Sequence, residues 1–598
     1  MTTTSAAGVR WDLSDLFASH DDPQINATLD ACDRDAATFA ERFRGTISLP
    51  GGPDPEQLRA GLEQLEALYD RAYRTAVFAS LLFSADTSKP EHRNLQQTVE
   101  QRMTNIRNQL LFFDLEWLAL DAEAAQRAMD HPVLAEYRHY LMNERRYKLH
   151  TLSEPEERII NEKDVTGRSA WQRLFAEVIA ALNFTVTVEG EVRTLSIDGM
   201  LSLMRHPDRE TRKAAFDEIY RVLGAQSQLL AFIYNTLIQE QQTMNRLRDY
   251  ADPMIPRHLA NEIEPEVVQT MMAVVERNYG IAQRYFAVKA KRIGVEKLHL
   301  FDQYAPVGEF KVKMTYDEAR ATVLTAFGAF DDTFRTIAAR FFEHNWIDAE
   351  IRSGKRGGAF CSGFPPSNHP YILCNYTDDL RDVMTIAHEL GHGIHFWLSR
   401  KQSLLNFGST LPLAETASVF AEMLTFEHLL GREQTTADKL ALVSGKIEDI
   451  FATVYRQNVL TRFEQSAFAA RAKGRLTPEQ IGELWLAANA AYYGDTVELS
   501  PGYEKGWSYI SHFVNVPFYC YAYVFGELLV LALYGMYRDE GSAFTPRYLA
   551  FLEAGISRSP ADLLAELGVD PRDPAFWQKG FDELDRLVRW AEELAQAL

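Results

Sequence analysis

Apolar residues recur through most of the chain with the spacing of helices. Leu95, Val99, Met103, Ile106, Leu110 and Phe113 follow at steps of four and three, the stripe that turns one helix face into a core. Glu56 to Phe83, Asp121 to Arg145, Pro265 to Ile293 and Tyr316 to Asn345 carry the same period and predict further helical stretches. Pro50-Gly51-Gly52-Pro53-Asp54-Pro55 marks a loop before the first long helical hairpin. Two regions break the helical rhythm. Phe184 to Val188 and Val192 to Leu195 alternate β-branched and polar residues around Glu189-Gly190-Glu191, a hairpin signal. Gly357 to Phe364 and Tyr371 to Tyr376 flank Pro365-Pro366-Ser367-Asn368-His369-Pro370 and read as two strands joined by a turn. The pattern predicts a mainly α protein with a small β-sheet.

Val516 to Tyr537 is apolar enough to resemble a membrane span. Pro517, Gly526, Glu527 and its many tyrosines are poor residues to set against lipid, so a buried helix is expected and no membrane association. A chain of 598 residues can bury a large core in two or more lobes; the division expected is 1–195 and 196–598. With 46% hydrophobic and 24% charged residues it has the composition of an ordinary globular protein. The net charge of −21 argues against nucleic acid as a partner. Cys32, Cys361, Cys374 and Cys520 form no C-x-x-C pair, and the first residues carry neither a basic nor an apolar leader segment. A reducing, cytoplasmic location is the expectation. Oligomeric state cannot be read from these features.

The chemistry gathers at His388-Glu389-Leu390-Gly391-His392. Residues four apart lie one turn above each other, so His388 and His392 point the same way and can share one Zn²⁺. Glu389 then projects beside the ion, where it can take a proton from a water: two ligands and a general base on one turn, the pattern of a metallopeptidase. Gly391 is expected to leave room near the metal. A catalytic zinc takes a third protein ligand and keeps one position open. Leu413 to Glu422 supplies Glu415 and Glu422, seven apart on one face among apolar neighbours. Glu415 is assigned to the metal and Glu422 to orienting a ligand histidine from behind. His395 shares the histidine face, but three ligands suffice and packing is its expected role. Small residues at Gly358 and Ala359 could leave a sheet edge open for a peptide backbone to pair as an added strand.

These motifs together resemble the oligoendopeptidase F branch of the thimet-oligopeptidase family of zinc metallopeptidases. The resemblance rests on His388 to His395, Ala414-Glu415-Thr416-Ala417-Ser418 with Glu422, Trp11-Asp12-Leu13-Ser14-Asp15-Leu16, and Gly354 to Phe360. It implies a two-lobed helical zincin-type peptidase with a deep central channel, the catalytic domain lying in 196–598. One Zn²⁺ per chain and endopeptidase action on short peptide substrates are implied as well. It further implies that a histidine and tyrosines late in the chain stabilise the transition state. His512, Tyr519 and Tyr523 are the residues in that place here, with Tyr521 an alternative donor. Tyr519 and Tyr523 are expected on one helix face. Pro501 to Trp507, with two glycines, could form a mobile loop at the site. An exopeptidase of the same wider group would need a clamp for a free terminus, for which Arg356 or Lys505 is the candidate.

Overall fold

The structure is a computed structural model and describes residues 4–308, 313–363, 365–432 and 435–598. Phe364, placed in the first strand by its sequence, lies outside the described residues. The chain forms two compact units. One comprises Met1–Lys148, Val312–Arg432 and Met536–Val569; the other comprises Leu149–Lys311, Glu433–Gly535 and Asp570–Leu598. The expected division at 195/196 is not this one, since it falls inside the second unit. Residues remote in sequence complete each core, and a pattern read along the chain does not show such exchanges.

The first unit opens with helices Pro23–Phe43, Pro55–Ala85 and Pro90–Ala119. Asp22 and Asp54 cap the first two by accepting the N–H of Gln24 and Glu56, and each helix begins with proline, which has no N–H to waste there. Val99, Met103, Ile106, Leu110 and Phe113 are buried as their spacing requires, with Leu95 half-buried at the end of the stripe. The helices pack closely: a β-carbon at Gly61 would lie 2.8 Å from the Phe113 ring. Asp121 to Arg145 is not one helix. It divides into Ala122–Met129, the 3₁₀ turn Pro132–Tyr137 and Arg138–Arg145, because Pro132 cannot continue a helical ladder. Tyr316 to Asn345 likewise splits into Tyr316–Phe330 and Asp332–Glu343 at Asp331, whose side chain caps the second helix.

The same unit holds a three-stranded sheet. Tyr371–Leu373 lies in the middle, parallel to Ile347–Asp348 and antiparallel to Phe360–Ser362, so Phe360–Ser362 is an edge strand. Its supports explain two of the sequence marks. Trp11 stands edge-on against Tyr371 at 6.2 Å and tilts towards Phe360 at 6.4 Å. The Lys355 side chain is buried and donates to the carbonyls of Asp348, Glu350 and Cys374 at 3.0, 2.9 and 2.6 Å, tying three segments together.

In the second unit Phe184–Val188 and Glu191–Leu195 form the expected hairpin. Its two-residue turn has positive φ at Glu189 (52°) and Gly190 (83°), the type I′ form whose twist matches the strands. Pro265 to Ile293 breaks at Asn278 into Pro265–Arg277 and Tyr279–Arg292. The apolar helix Tyr521–Glu540, of which Tyr521 to Gly535 belongs to this unit, is buried from Val524 to Tyr534, with Phe525 on Trp577 at 4.9 Å. Among the described residues no helix is long and apolar enough to cross a membrane.

Candidate metal centre

Leu380–Ser399 carries both motif histidines. Asp379 caps it in a reciprocal box with Asp382, and Val383, Ile386, Ala387, Leu390 and Ile394 anchor its inner face. The neighbouring helix Thr416–Leu430 packs against it with almost no space between backbones. A β-carbon at Gly391 would lie 2.4 Å from the Ala417 carbonyl oxygen and 2.5 Å from the Ser418 Cα. The glycine therefore makes room for the second helix rather than for an ion. That close approach brings the carboxylates within reach of the histidines.

Nε2 of His388 and Nε2 of His392 lie 3.3 and 3.4 Å from Oε2 of Glu415. The three ligand atoms all fall within 4.8 Å of one another. Bonds of ~2.0–2.1 Å to a tetrahedral ion require ligand atoms roughly 3.3 Å apart, so this donor set fits a metal at its centre. Nδ1 of His388 donates to Oε1 of Glu422 at 2.6 Å, which turns Nε2 towards the cluster. Glu415 stands at the N-terminus of its helix and accepts the Ser418 hydroxyl at 2.7 Å. Burial opposes its charge, but hydrogen bonds from His388 and His392 outweigh that and hold its carboxyl well below the usual range. Burial opposes a charge on His388 too, yet Glu415 and Glu422 raise it well above an ordinary histidine. The cluster is thus built to hold a positive charge, whether a proton or a cation.

Glu389 is buried and lines a cavity of about 500 Å³ together with His388, His392, Glu415, Ala359 and Phe360. Burial pushes its carboxyl up against the pull of His388 and His392. His395 also lines the cavity but is only 7% exposed, and burial lowers it to about 4, a neutral packed imidazole. Ala359 and, from the edge strand, Phe360 and Cys361 supply one cavity wall. Gly358 is exposed at φ 78°, and its carbonyl accepts from the Asn375 side chain at 2.9 Å.

His512, Tyr519 and Tyr523 form a separate cluster in the second unit. The rings of His512 and Tyr519 stack at 5.8 Å, Tyr519 and Tyr523 meet at 5.0 Å, and Nε2 of His512 is 3.3 Å from the Tyr523 hydroxyl. Tyr519 does not share a helix face with Tyr523, since the helix begins only at Tyr521. Burial, then the charge of Arg456, lowers His512 and favours its neutral form. Tyr521 is fully buried, with its hydroxyl bonded to His258 and Asn261 at 2.9 and 3.0 Å, an anchor rather than a donor. The glycines of the 501–507 segment serve packing: a β-carbon would meet Tyr220 at Gly502 (2.9 Å) and the Trp485 indole nitrogen at Gly506 (2.7 Å). Lys505 is paired with Glu504 at 2.6 Å, and the Arg356 guanidinium lies 5.5 Å over the Phe360 ring. Sequence reasoning missed Lys355, whose role needs the folded sheet to be seen.

A base and two imidazoles on one helical turn, with a carboxylate from the next helix, define a metallopeptidase centre. Comparison with known proteins gives the family. The profile described as Peptidase family M3 matches residues 202–583, and that of Oligopeptidase F matches residues 116–184. The chain belongs to peptidase family M3 and is a metallo-endopeptidase. It is 25% identical over 591 residues to Oligopeptidase PepF of Bacillus subtilis, covering 97% of this chain and 87% of that one. Group B oligopeptidase PepB of Streptococcus agalactiae is 26% identical over 594 residues, 97% of each. A solved structure from Chlamydophila abortus has the same fold, with a TM-score of 0.85 at 24% identity over 100% of both chains. Oligoendopeptidase-F from Enterococcus faecium matches with a TM-score of 0.72 at 24% identity, over 96% of this chain and 99% of that one.

Proposed function

We propose that the chain is a zinc-dependent endopeptidase of short oligopeptides in which Glu389 activates the attacking water. The observation that carries this reading is the placement of Oε2 of Glu415 at 3.3 and 3.4 Å from Nε2 of His388 and His392, the separation of ligands on one tetrahedral ion, with Glu389 buried in the same cavity. Two imidazoles and one carboxylate suit Zn²⁺, one per chain. When bound, zinc supplies Lewis acidity, making a water acidic near neutral pH and polarising the scissile carbonyl.

The chain's own residues do the rest. His388, His392 and Glu415 hold the ion, and Glu422 fixes the His388 ring. Glu389 takes the proton of the attacking water and passes it to the leaving amine; its raised affinity for a proton suits both directions. His512 with Tyr523 and Tyr519 donates to the oxyanion as the carbonyl becomes tetrahedral. Gly358 and Ala359 present the edge next to Phe360–Ser362, where a peptide backbone pairs as an extra strand and side chains are read only loosely. Relatives named oligopeptidases support short peptides as substrates. Four free cysteines fit a reducing, cytoplasmic setting.

The test uses internally quenched peptides of about ten residues, roughly the span of a fully extended site, blocked at both ends. Internal cuts located by mass spectrometry are the expected result. Blocked peptides left intact while free-ended ones are trimmed would overturn the endopeptidase reading.

A further inference from the structure

The segment between His512 and Tyr523 contains the most strained residue near the tyrosine cluster. Val516-Pro517-Phe518-Tyr519 is a β-turn closed by the Tyr519 N–H on the Val516 carbonyl at 3.2 Å. Phe518 sits at φ 58°. Proline at the second position and positive φ at the third make this a type II turn, which ordinarily places glycine or asparagine where Phe518 stands. An L-phenylalanine there is held against its preference. Relaxing φ of Phe518 out of the left-handed region, without the compensating rotation at Pro517 that merely flips the peptide between them, would open the turn and re-aim Tyr519 and the residues beyond it.

One contact opposes that rotation. Glu464, on the helix Tyr455–Arg471, is fully buried, and its Oε1 accepts the Phe518 N–H at 3.0 Å. That N–H belongs to the central peptide of the turn, so the bond ties the turn to this helix and is lost if the peptide flips or the turn opens. The other oxygen, Oε2, is buried without a hydrogen bond among the described residues. Stability alone does not explain such a group, because an apolar side chain of similar length would be cheaper to bury. Burial pushes the Glu464 carboxyl up to about 8, against the weaker pulls of the Phe518 N–H and Arg257, so the latch is neutral at ordinary pH. The residues after the turn are held as well: Arg257 lies over the Tyr519 ring at 5.8 Å, and the Tyr521 hydroxyl is bonded to His258 and Asn261.

We propose that Glu464 is a positioning residue that locks the Val516–Tyr519 turn in its type II form and thereby sets Tyr519 and Tyr523 against His512. The inference rests on the donor role proposed for these three residues. Glu464 touches no substrate; it acts through the turn.

The test compares Glu464→Gln and Glu464→Met in the full metal-loaded chain, reading kcat, KM and metal content on a quenched peptide. Glutamine keeps the acceptor and should hold kcat near wild type. Methionine removes it and should lower kcat about 100-fold, the scale of a small misplacement of catalytic groups, with KM and metal content unchanged. Adding Glu464→Met to Tyr519→Phe/Tyr523→Phe should cost nothing further, since the donors it positions are gone. If the methionine variant folds poorly, adding Phe518→Gly should restore kcat, because glycine keeps positive φ without the latch. A wild-type kcat in Glu464→Met would overturn the inference. So would an undiminished loss in the double-phenylalanine background, or no recovery with Phe518→Gly. Wild-type kcat in both single tyrosine variants would remove the donor role itself; loss of kcat there beside an indifferent Glu464→Met removes only the latch.

Discussion

The two clusters of candidate chemistry are built in opposite ways. His388, His392, Glu389 and Glu415 stand on or at the start of two regular helices whose backbones touch through Gly391, so positions are fixed by packing. Tyr519 and Tyr523 come after an irregular turn with a strained phenylalanine, held by side chains from two other helices. Helix periodicity places the first group to within a rotamer. The second group depends on individual hydrogen bonds, and one lost bond is enough to move it. Metal binding and fold stability should therefore follow the ligands and packing of the first cluster, and turnover should follow Glu389 and the second.

That contrast can be tested in order of effect. Tyr523→Phe should lower kcat by about 10²–10³, the worth of one oxyanion donor, while KM and bound metal stay near wild type. A larger loss in Tyr519→Phe would move the donor role to that residue. Glu422→Ala should weaken metal affinity by about 10–100-fold, as loss of a carboxylate behind a ligand histidine does, measured by chelator competition. Unchanged metal affinity would mean that packing alone orients His388. Gly391→Ala forces a β-carbon against backbone and should cost about 1–3 kcal/mol in denaturant unfolding. The open helical Gly445→Ala should instead gain about 0.5–1 kcal/mol, and equal behaviour at the two sites would refute the close-packing account.

The smallest effect is one of pH. Glu464 keeps its proton to about 8 when folded, facing Arg257, the Phe518 N–H, the Tyr234 phenol and the Cys520 thiol, whereas an exposed glutamate loses its proton near ~4.3. Its contribution to stability is full below the unfolded value and declines as pH rises to the folded one. Glu464→Gln removes that slope, so its stability relative to wild type should grow from pH 5 to pH 8 and then level off. Parallel stability profiles would contradict this assignment.

Much of the fold was legible because amphipathic helices announce themselves: Val99 to Phe113 is buried as its spacing demands. Pro132 and Asp331 explain why two predicted helices break, and both are visible in the sequence once breakers and caps are weighed. The metal cluster was legible because His388, His392, Glu415 and Glu422 keep helical spacing. Gly391 was singled out for the wrong reason, since its neighbour across the gap is another helix. Lys355, the fixed hydroxyl of Tyr521 and the latch at Glu464 were not legible. Each depends on a partner remote in sequence, and no local period records a single long-range hydrogen bond. The division into units was hidden for the same reason.

The most direct measurement compares wild type and Glu389→Gln, pairing metal analysis with cleavage of a doubly blocked quenched peptide. The account predicts equal zinc content, internal cuts by wild type, and cutting by the variant reduced at least ~100-fold, the scale of losing a general base. Undiminished cutting by a variant that still holds its metal would contradict Glu389 as the base and, with it, the central claim.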